Sequence, residues 1–128
     1  MELVRAGRAL LLAGAPVGAP HLWLVLTDPD PENGLVVMVM VVTSRPHTDK
    51  TVTLSPADHP FIHHESNVDF GSARFFPVSR LNAALKKGRC QLQADASARL
   101  LNTVRAGLLK SPRTIHAVAD YCRTRFAE

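Results

Sequence analysis

The chain has 128 residues, of which 46% are apolar and 20% are charged, and its formal net charge is +4. This composition excludes an intrinsically disordered chain, and no apolar run approaches the ~20 residues of a membrane-spanning helix. The length predicts a single domain over residues 1–128, with a barrel at about 9–93 and helices at about 97–126.

Charge is distributed unevenly along the chain. Residues 1–70 carry four basic and eight acidic side chains, whereas residues 71–128 carry eleven basic and three acidic ones. A basic second half attracts phosphate groups, acidic proteins or anionic lipid surfaces. A solvated helical face would show the same excess of lysine and arginine, so both interpretations stay open at this point.

The N-terminal segment imitates a secretory leader, because Arg5 and Arg8 precede the short apolar run of residues 9–13. The run is shorter than a leader usually needs, and Glu2 lies in what would be the basic segment. We therefore expect a first β-strand here. The Gly- and Pro-rich residues 14–20 predict a loop after it.

Two antiparallel strands are predicted next. Residues 21–27 predict a strand with three leucines on one face and a mixed second face of His21, Trp23, Val25 and Thr27. Residues 28–34 contain two prolines and end in Asn-Gly, which predicts a chain reversal. Residues 35–42 are eight apolar side chains rich in β-branching. They predict a central strand that is buried on both faces.

An abruptly polar loop, residues 43–50, follows the apolar strand. A short strand is predicted over residues 51–54. A longer one is predicted over 67–73, with 74–78 as its extension. Five short strands with tight connections indicate a small barrel.

The C-terminal part is predicted to be mainly helical. Ser79 is expected to cap a short helix that Gly88 ends, residues 90–92 to form a last strand, and Ser97 and Ser111 to open two further helices. The predicted fold class is therefore α+β, mainly β, with a small SH3-like barrel of five to six strands, a short internal helix and C-terminal helices. The apolar stripes of the last two helices are Leu100, Leu101, Val104 and Leu108, and Ile115, Val118, Cys122 and Phe126.

The two cysteines, Cys90 and Cys122, are too few for a disulfide framework and have no metal-type spacing. Cys122 lies on an apolar helical stripe, which predicts a buried free thiol. A buried free thiol favours a reducing, cytoplasmic location.

Four short segments appear in a characteristic order: Leu22-Trp23-Leu24-Val25-Leu26-Thr27, Met40-Val41-Val42-Thr43-Ser44, Ser66-Asn67-Val68, and Arg80-Leu81 with Gly88. Over roughly residues 9–110, their order and spacing resemble the MazF/PemK family of toxin-like endoribonucleases, which have an SH3-like barrel with appended helices. The resemblance implies metal-independent cleavage of single-stranded RNA without a cofactor. It also implies a homodimer, an antitoxin protein as partner, and no membrane association.

The same resemblance identifies Thr43 with the family's active-site threonine. His21 stands where the family has its active-site arginine, and Trp23 replaces a small residue. The Gly-rich, charged loop that the family carries before this strand is also absent from the sequence. These departures mark a divergent member.

Metal-free RNA cleavage uses the 2′-hydroxyl as nucleophile, so the protein must supply a base, an acid and positive charge at the developing phosphorane. The predicted catalytic set is His21, Thr43, Arg45 and His47, because histidine titrates near neutrality and arginine binds phosphate with a bidentate fork. Contacts to RNA are predicted at Ser44, Lys50, Arg74, Lys86 and Lys87, with Phe75 or Phe76 stacking on a base.

The sequence leaves two other kinds of site and one other function open. The histidines His59, His63 and His64 raise the alternative of a metal site, although Pro60 disfavours the helix that would align them, and we predict none. Residues 28–32 alternate carboxylates like a calcium loop but lack its terminal glutamate. The alternative function is a non-catalytic SH3-like binding module that engages a protein or peptide partner.

Overall fold

The computed structural model describes residues 3–12 and 19–127. These residues form six strands and three helices: β1 (Ala9–Leu12), β2 (His21–Val25), β3 (Leu35–Thr43), β4 (Thr53–Leu54), β5 (Ser66–Pro77), α1 (Val78–Lys86), β6 (Cys90–Gln93), α2 (Ala98–Lys110) and α3 (His116–Arg125). The strands make one antiparallel sheet in the order β4-β5-β3-β2-β1-β6. The sheet curls into a half-barrel, which confirms the predicted α+β, mainly β fold.

Strand β3 lies in the middle of the sheet, as its apolar sequence predicts. It pairs with β2 on one side and with β5 on the other. Val37 and Val39 point into one apolar cluster and Val36 and Met38 into another, and all four side chains are fully buried. Burial on both faces explains why this strand has no polar residue before Thr43.

The first apolar cluster lies between the sheet and the two C-terminal helices. Gly107 lets α2 approach β5 closely, because a Cβ atom there would lie 2.5 Å from Val52 Cγ2 and 2.7 Å from Phe70 Cζ. Arg105 also ties α2 to the sheet by donating from Nε and Nη2 to the carbonyl oxygen of Leu26, at 2.9 and 2.7 Å. The main helical contributors to this cluster are Leu100, Val104, Leu108, Val118 and Cys122.

The second apolar cluster occupies the opposite face of the sheet, where Leu81 of α1 covers it. Trp23 packs edge-to-face against Phe76 at its border, with ring centroids 5.3 Å apart. Cys90 belongs to this cluster and Cys122 to the first one, and both are buried free thiols, as predicted for Cys122. Burial raises the pKa of Cys90 to about 11 and that of Cys122 to about 12.

Two of the predicted helix starts are wrong. Helix α1 begins at Val78, so Ser79 lies inside its first turn and Pro77, which has no side-chain acceptor, occupies the N-cap position. Ser111 ends α2 instead of opening α3, which begins at His116, and Ile115 is 40% exposed instead of buried. The third start is confirmed, because the Ser97 hydroxyl accepts a hydrogen bond from Leu100 N at 3.0 Å.

The predicted reversal between β2 and β3 is confirmed. Gly34 has a φ of +64°, which favours glycine, and Asp30 Oδ1 accepts from Asn33 N and Leu35 N at 3.0 Å each. The hydrogen bond from Leu35 contributes most to holding the pKa of Asp30 below its usual value. The Asp30 carboxylate therefore holds a turn together, which accounts for its place in residues 28–32 without a calcium ion.

The loop predicted over residues 14–20 falls mostly on residues 13–18, which lie outside the described residues. In the parts of the chain that are described, none of the helices combines the length and apolar character needed to cross a membrane.

Candidate active site

Thr43 is the last residue of β3 and pairs with Ser66 at the start of β5. Its hydroxyl shares a hydrogen bond with the ring of His64, with Oγ1 and Nε2 3.0 Å apart. Thr43 is half-buried and His64 is exposed. A threonine hydroxyl and an imidazole thus meet at the point where the most apolar strand enters the polar loop.

Thr43 and His64 line a cavity of about 280 Å³ at this end of the sheet, which we call the histidine cavity. Strand alternation puts His21 on the face of Trp23 and Thr43 on the face of Val41, so the two point to opposite sides of the sheet although both border the cavity. The imidazole in contact with Thr43 is therefore that of His64. The lining residues used below are His21, Thr43, Phe61, Ile62, His63 and His64.

A second cavity of about 260 Å³, the arginine cavity, adjoins the first, and Val42 and Thr43 line both. Arg45 and Arg113 bring two guanidinium groups to it, and His47 adds an imidazole. Asp49 and Asp69 also line it. Histidines therefore line both cavities, and the two arginines line only the arginine cavity.

The polar loop is held by Lys50 and by the buried side chain of Asn67. Lys50 Nζ donates to Ser44 Oγ at 3.0 Å, to Thr48 Oγ1 at 2.9 Å and to Asn67 Oδ1 at 3.2 Å, and it also contacts the carbonyl oxygen of Arg45. Thr48 Oγ1 lies 2.6 Å from Asn67 Oδ1. The ammonium group predicted to contact RNA is therefore directed at oxygens of the loop itself.

Asp49 anchors the same loop to the connection between α2 and α3. Its Oδ2 accepts from Ser111 Oγ at 2.5 Å, and its Oδ1 accepts from the backbone and side chain of Thr51 at 2.9 and 2.6 Å. Arg113 Nη1 donates to the carbonyl oxygen of His47 at 3.1 Å, which adds a second link. Both carboxylate oxygens are therefore occupied, although Asp49 lines the arginine cavity.

The buried state of Asp49 predicts a pH dependence of stability. Burial raises the pKa of this carboxyl, but the hydrogen bonds from Ser111 and Thr51 together outweigh burial and hold the pKa below its usual value of 3.8. A lowered folded-state pKa stabilises the fold above the unfolded pKa, and this contribution is lost as the pH falls below about 4. We expect Asp49→Asn to unfold more easily at pH 7 and to lose less stability on acidification.

The measurement is urea unfolding of both proteins at a series of pH values from neutral to acid. Equal free energies of unfolding at every pH would contradict the role assigned to Asp49.

His59 is a structural histidine. It is 3% exposed, its Nδ1 accepts from Phe61 N at 3.0 Å, and its Nε2 lies 2.6 Å from the carbonyl oxygen of Ala94. Both ring nitrogens are thus engaged by the protein. Within residues 3–12 and 19–127, no group of three histidine, cysteine or carboxylate side chains is arranged to hold a metal ion.

The predicted RNA contacts are divided between two ends of the sheet. Ser44 and Lys50 belong to the loop beside Thr43. Arg74 pairs with Met38 and donates to the carbonyl oxygens of Gly71 and Ala73 at 2.7 and 2.9 Å. Lys86 is the last residue of α1 and Lys87 is its C-cap, and α1 begins next to Leu35, at the end of β3 that lies about 26 Å from Thr43.

The two phenylalanines predicted to stack on RNA are engaged by other aromatic rings. Phe76 packs on Trp23, and Phe75 packs edge-to-face on Tyr121, with centroids 5.2 Å apart. Because they face different apolar clusters, both are part of the packing.

The predicted catalytic set does not contain His64 or Arg113. The sequence offers His64 only as a metal ligand, and its pairing with Thr43 follows from the return of the chain into β5, which begins at Ser66. Arg113 comes from the distant α2–α3 connection, and no local pattern points to it.

Among known proteins, a solved structure from a mycobacterial species, an endoribonuclease in complex with its cognate antitoxin, is similar to this chain. The TM-score is 0.54 and the sequence identity 17%, and the match covers 84% of this chain and 92% of the other. A likeness at this identity concerns the fold. No protein-family model matches the sequence, and no curated protein matches it.

Proposed function

We propose that this protein is a MazF/PemK-like toxin, a metal-independent endoribonuclease that cleaves single-stranded RNA. The observation that carries the proposal is the Thr43–His64 hydrogen bond at the junction of a cavity with histidines and a cavity with two arginines. The shared fold with a solved endoribonuclease supports it. The proposed catalytic set keeps Thr43, Arg45 and His47 and adds His64.

In the proposed reaction, the 2′-oxygen of a ribose attacks the adjacent phosphorus and the bond from phosphorus to the 5′-oxygen breaks. His64 takes the proton of the 2′-hydroxyl, and His47 gives a proton to the departing 5′-oxygen. The products are a 2′,3′-cyclic phosphate and a free 5′-hydroxyl. Attack and departure occur on opposite sides of phosphorus, which fits one histidine in each of the two cavities that share Thr43.

Positive charge for the phosphorane comes from Arg45 and Arg113. The Thr43 hydroxyl accepts from His64 Nε2–H and donates its own proton to a non-bridging oxygen, so the nitrogen of His64 that takes the 2′-proton is Nδ1. Asp69 also lines the arginine cavity and would repel phosphate. Asp49 is a second carboxylate at this cavity, so the acidic groups equal the two guanidinium groups in number, but both oxygens of Asp49 already accept hydrogen bonds from Ser111 and Thr51. His21 borders the histidine cavity but points to the opposite side of the sheet from Thr43, so it has only an accessory role in this proposal.

We further propose that the active protein is a homodimer located in the cytoplasm, and that an antitoxin protein inhibits it. The similar mycobacterial endoribonuclease was solved with its cognate antitoxin, which supports a partner of this kind. The basic excess of residues 71–128 favours an acidic inhibitor segment.

The test is incubation of the purified protein with a long unstructured RNA in the presence of a chelator. We expect fragments that end in a 2′,3′-cyclic phosphate, and we expect a single 2′-deoxy substitution at a mapped cleavage site to abolish cleavage there. RNA that stays intact with freshly purified protein would favour the non-catalytic binding module. Cleavage that the chelator stops would contradict the metal-independent mechanism.

A further inference from the structure

The inner part of the histidine cavity takes no part in the proposed reaction. Beyond Thr43 and His64 its walls are mostly apolar, with Phe61 and Ile62 on one side and Leu22 and Val41 on the other. Ile62, Leu22 and Val41 are buried, whereas Phe61 is only partly buried. The cavity is therefore an apolar slot that opens beside the proposed catalytic pair.

The rings of Phe61 and His63 border this slot. The Phe61 and His63 ring centroids are 6.1 Å apart and the planes are tilted by 48°, and His63 is exposed. An aromatic face next to a polar, exposed ring suits a flat ligand that has an apolar face and a polar edge. A nucleobase has both features, and every base presents a π-face for stacking.

His59 fixes the backbone that carries Phe61. Phe61 N donates to His59 Nδ1 at 3.0 Å, and Ile62 N donates to the carbonyl oxygen of His59 at 3.0 Å. The buried imidazole of His59 is itself bonded to Ala94 O through Nε2. A turn held in this way keeps the slot formed before a ligand arrives, which lowers the entropic penalty of binding.

We infer that Phe61 and His63 form a subsite that binds one unstacked nucleobase next to the scissile phosphate. This inference rests on the proposed function, because the arginine cavity supplies the neighbouring phosphate contact. A volume of about 280 Å³ lies at the lower end of the range for small-molecule pockets, so it admits one nucleoside and not two stacked bases. The adjoining guanidinium groups favour a nucleotide over a peptide side chain.

The test uses 2-aminopurine riboside 3′-monophosphate, whose fluorescence is quenched by stacking, so that no cleavage is needed. We expect the wild-type protein to quench it, Phe61→Ala to bind it about 5- to 150-fold more weakly, and Phe61→Trp to retain binding. Phe126→Ala is the matched control, since Phe126 is also partly buried but packs against Arg105, away from the cavity. Circular dichroism melts report whether each variant is folded.

Equal quenching by folded wild-type and Phe61→Ala proteins would overturn the subsite. Quenching that depends on Phe61 in a protein that never cuts RNA would keep the subsite and reject the nuclease. If the wild type cuts RNA and Phe61→Ala shows the same KM and the same cleavage positions, the nuclease stands and the subsite falls. A displacement of the nucleotide by short apolar peptides at equal concentration would assign the slot to a protein partner and overturn the inference.

Discussion

His64→Ala is expected to slow the cleavage of unstructured RNA by about 10²- to 10⁴-fold, the usual contribution of a positioned acid or base, and Thr43→Ala by about 10²- to 10³-fold, the usual contribution of one hydrogen-bond donor to a developing oxyanion. The two side chains meet at 3.0 Å, so either change removes the contact on which the proposed site depends. The effect should appear in kcat, because the hydrogen bonds are made to the charge that develops in the transition state. Initial rates on a fluorogenic RNA measure it.

Helix α3 offers matched controls for both variants. Thr124 and His116 are exposed there, away from both cavities, and His116 has one carboxylate partner, Asp120. Thr124→Ala and His116→Ala should cleave at wild-type rates. Because groups that act as a unit are not additive, the Thr43→Ala, His64→Ala double variant should be little slower than either single one.

The arginine side of the site needs its own variant. Thr43→Ala, Arg45→Ala combines loss of the hydroxyl with loss of one guanidinium group. Full activity of this folded double variant would reject the site assignment. Arg123→Ala on α3 controls for the removal of an exposed arginine.

Asn67→Leu is expected to lower the free energy of unfolding by about 2–4 kcal/mol, because several buried hydrogen bonds are lost at once. Asn67 is fully buried. Its Oδ1 contacts Thr48 and Lys50 of the polar loop, and its Nδ2 donates to Val52 O at 3.3 Å and Thr53 Oγ1 at 3.1 Å. Leucine has a similar volume but would place an apolar group against the Lys50 ammonium.

Chemical denaturation measures the loss, and Asn102→Leu on the exposed side of α2 is the control, expected to change stability by less than about 0.5 kcal/mol. Because Asn67 holds the loop that carries Arg45, RNA cleavage should fall as well, even where the protein remains folded. An Asn67→Leu protein as stable as the wild type would contradict the role of this side chain as the support of the loop.

Patterns of short range were enough to predict most of the sheet. The apolar run of residues 35–42 predicts a strand that is buried on both faces, and Asn33-Gly34 predicts the reversal before it. Both predictions depend only on neighbouring residues, so they need no knowledge of the fold. The helix starts were harder to predict. Ser111 does accept from a backbone amide two residues on, Arg113 N at 3.1 Å, while its hydroxyl donates to Asp49, 62 residues away in sequence, but this local bond closes a turn, and α3 begins only at His116.

The long strand β5 shows a second limit. The sequence predicts its span, but between Met38 and Met40 of β3 the register shifts, and Arg74 and Asp69 become their partners. Ser72 supports this irregularity, since its Oγ accepts from Met40 N at 3.0 Å and donates to the carbonyl oxygen of Asp69 at 2.6 Å. A β-bulge is defined by how two paired strands align, so the residue pattern of one strand alone does not reveal it.

The candidate site was predicted in outline, because a polar loop after a buried strand is visible in the sequence. The full set of residues that form the site becomes visible only in the folded structure. His64 reaches Thr43 through the turn that precedes β5, and Arg113 arrives from the α2–α3 connection. Lys50 has the charge of an RNA contact, but its position in the loop directs its ammonium inward.

The two thiols give each side of the sheet its own chemical reporter. Alkylating reagents attack the thiolate, and burial has moved the pKa of Cys90 to about 11 and that of Cys122 to about 12. Modification at neutral pH then requires a local opening that exposes the sulfur. The labelling rate of Cys90 would report how often β6 and α1 open away from the sheet. The labelling rate of Cys122 would report how often α3 does so. Comparing the two rates in the unmodified protein would show which side opens first.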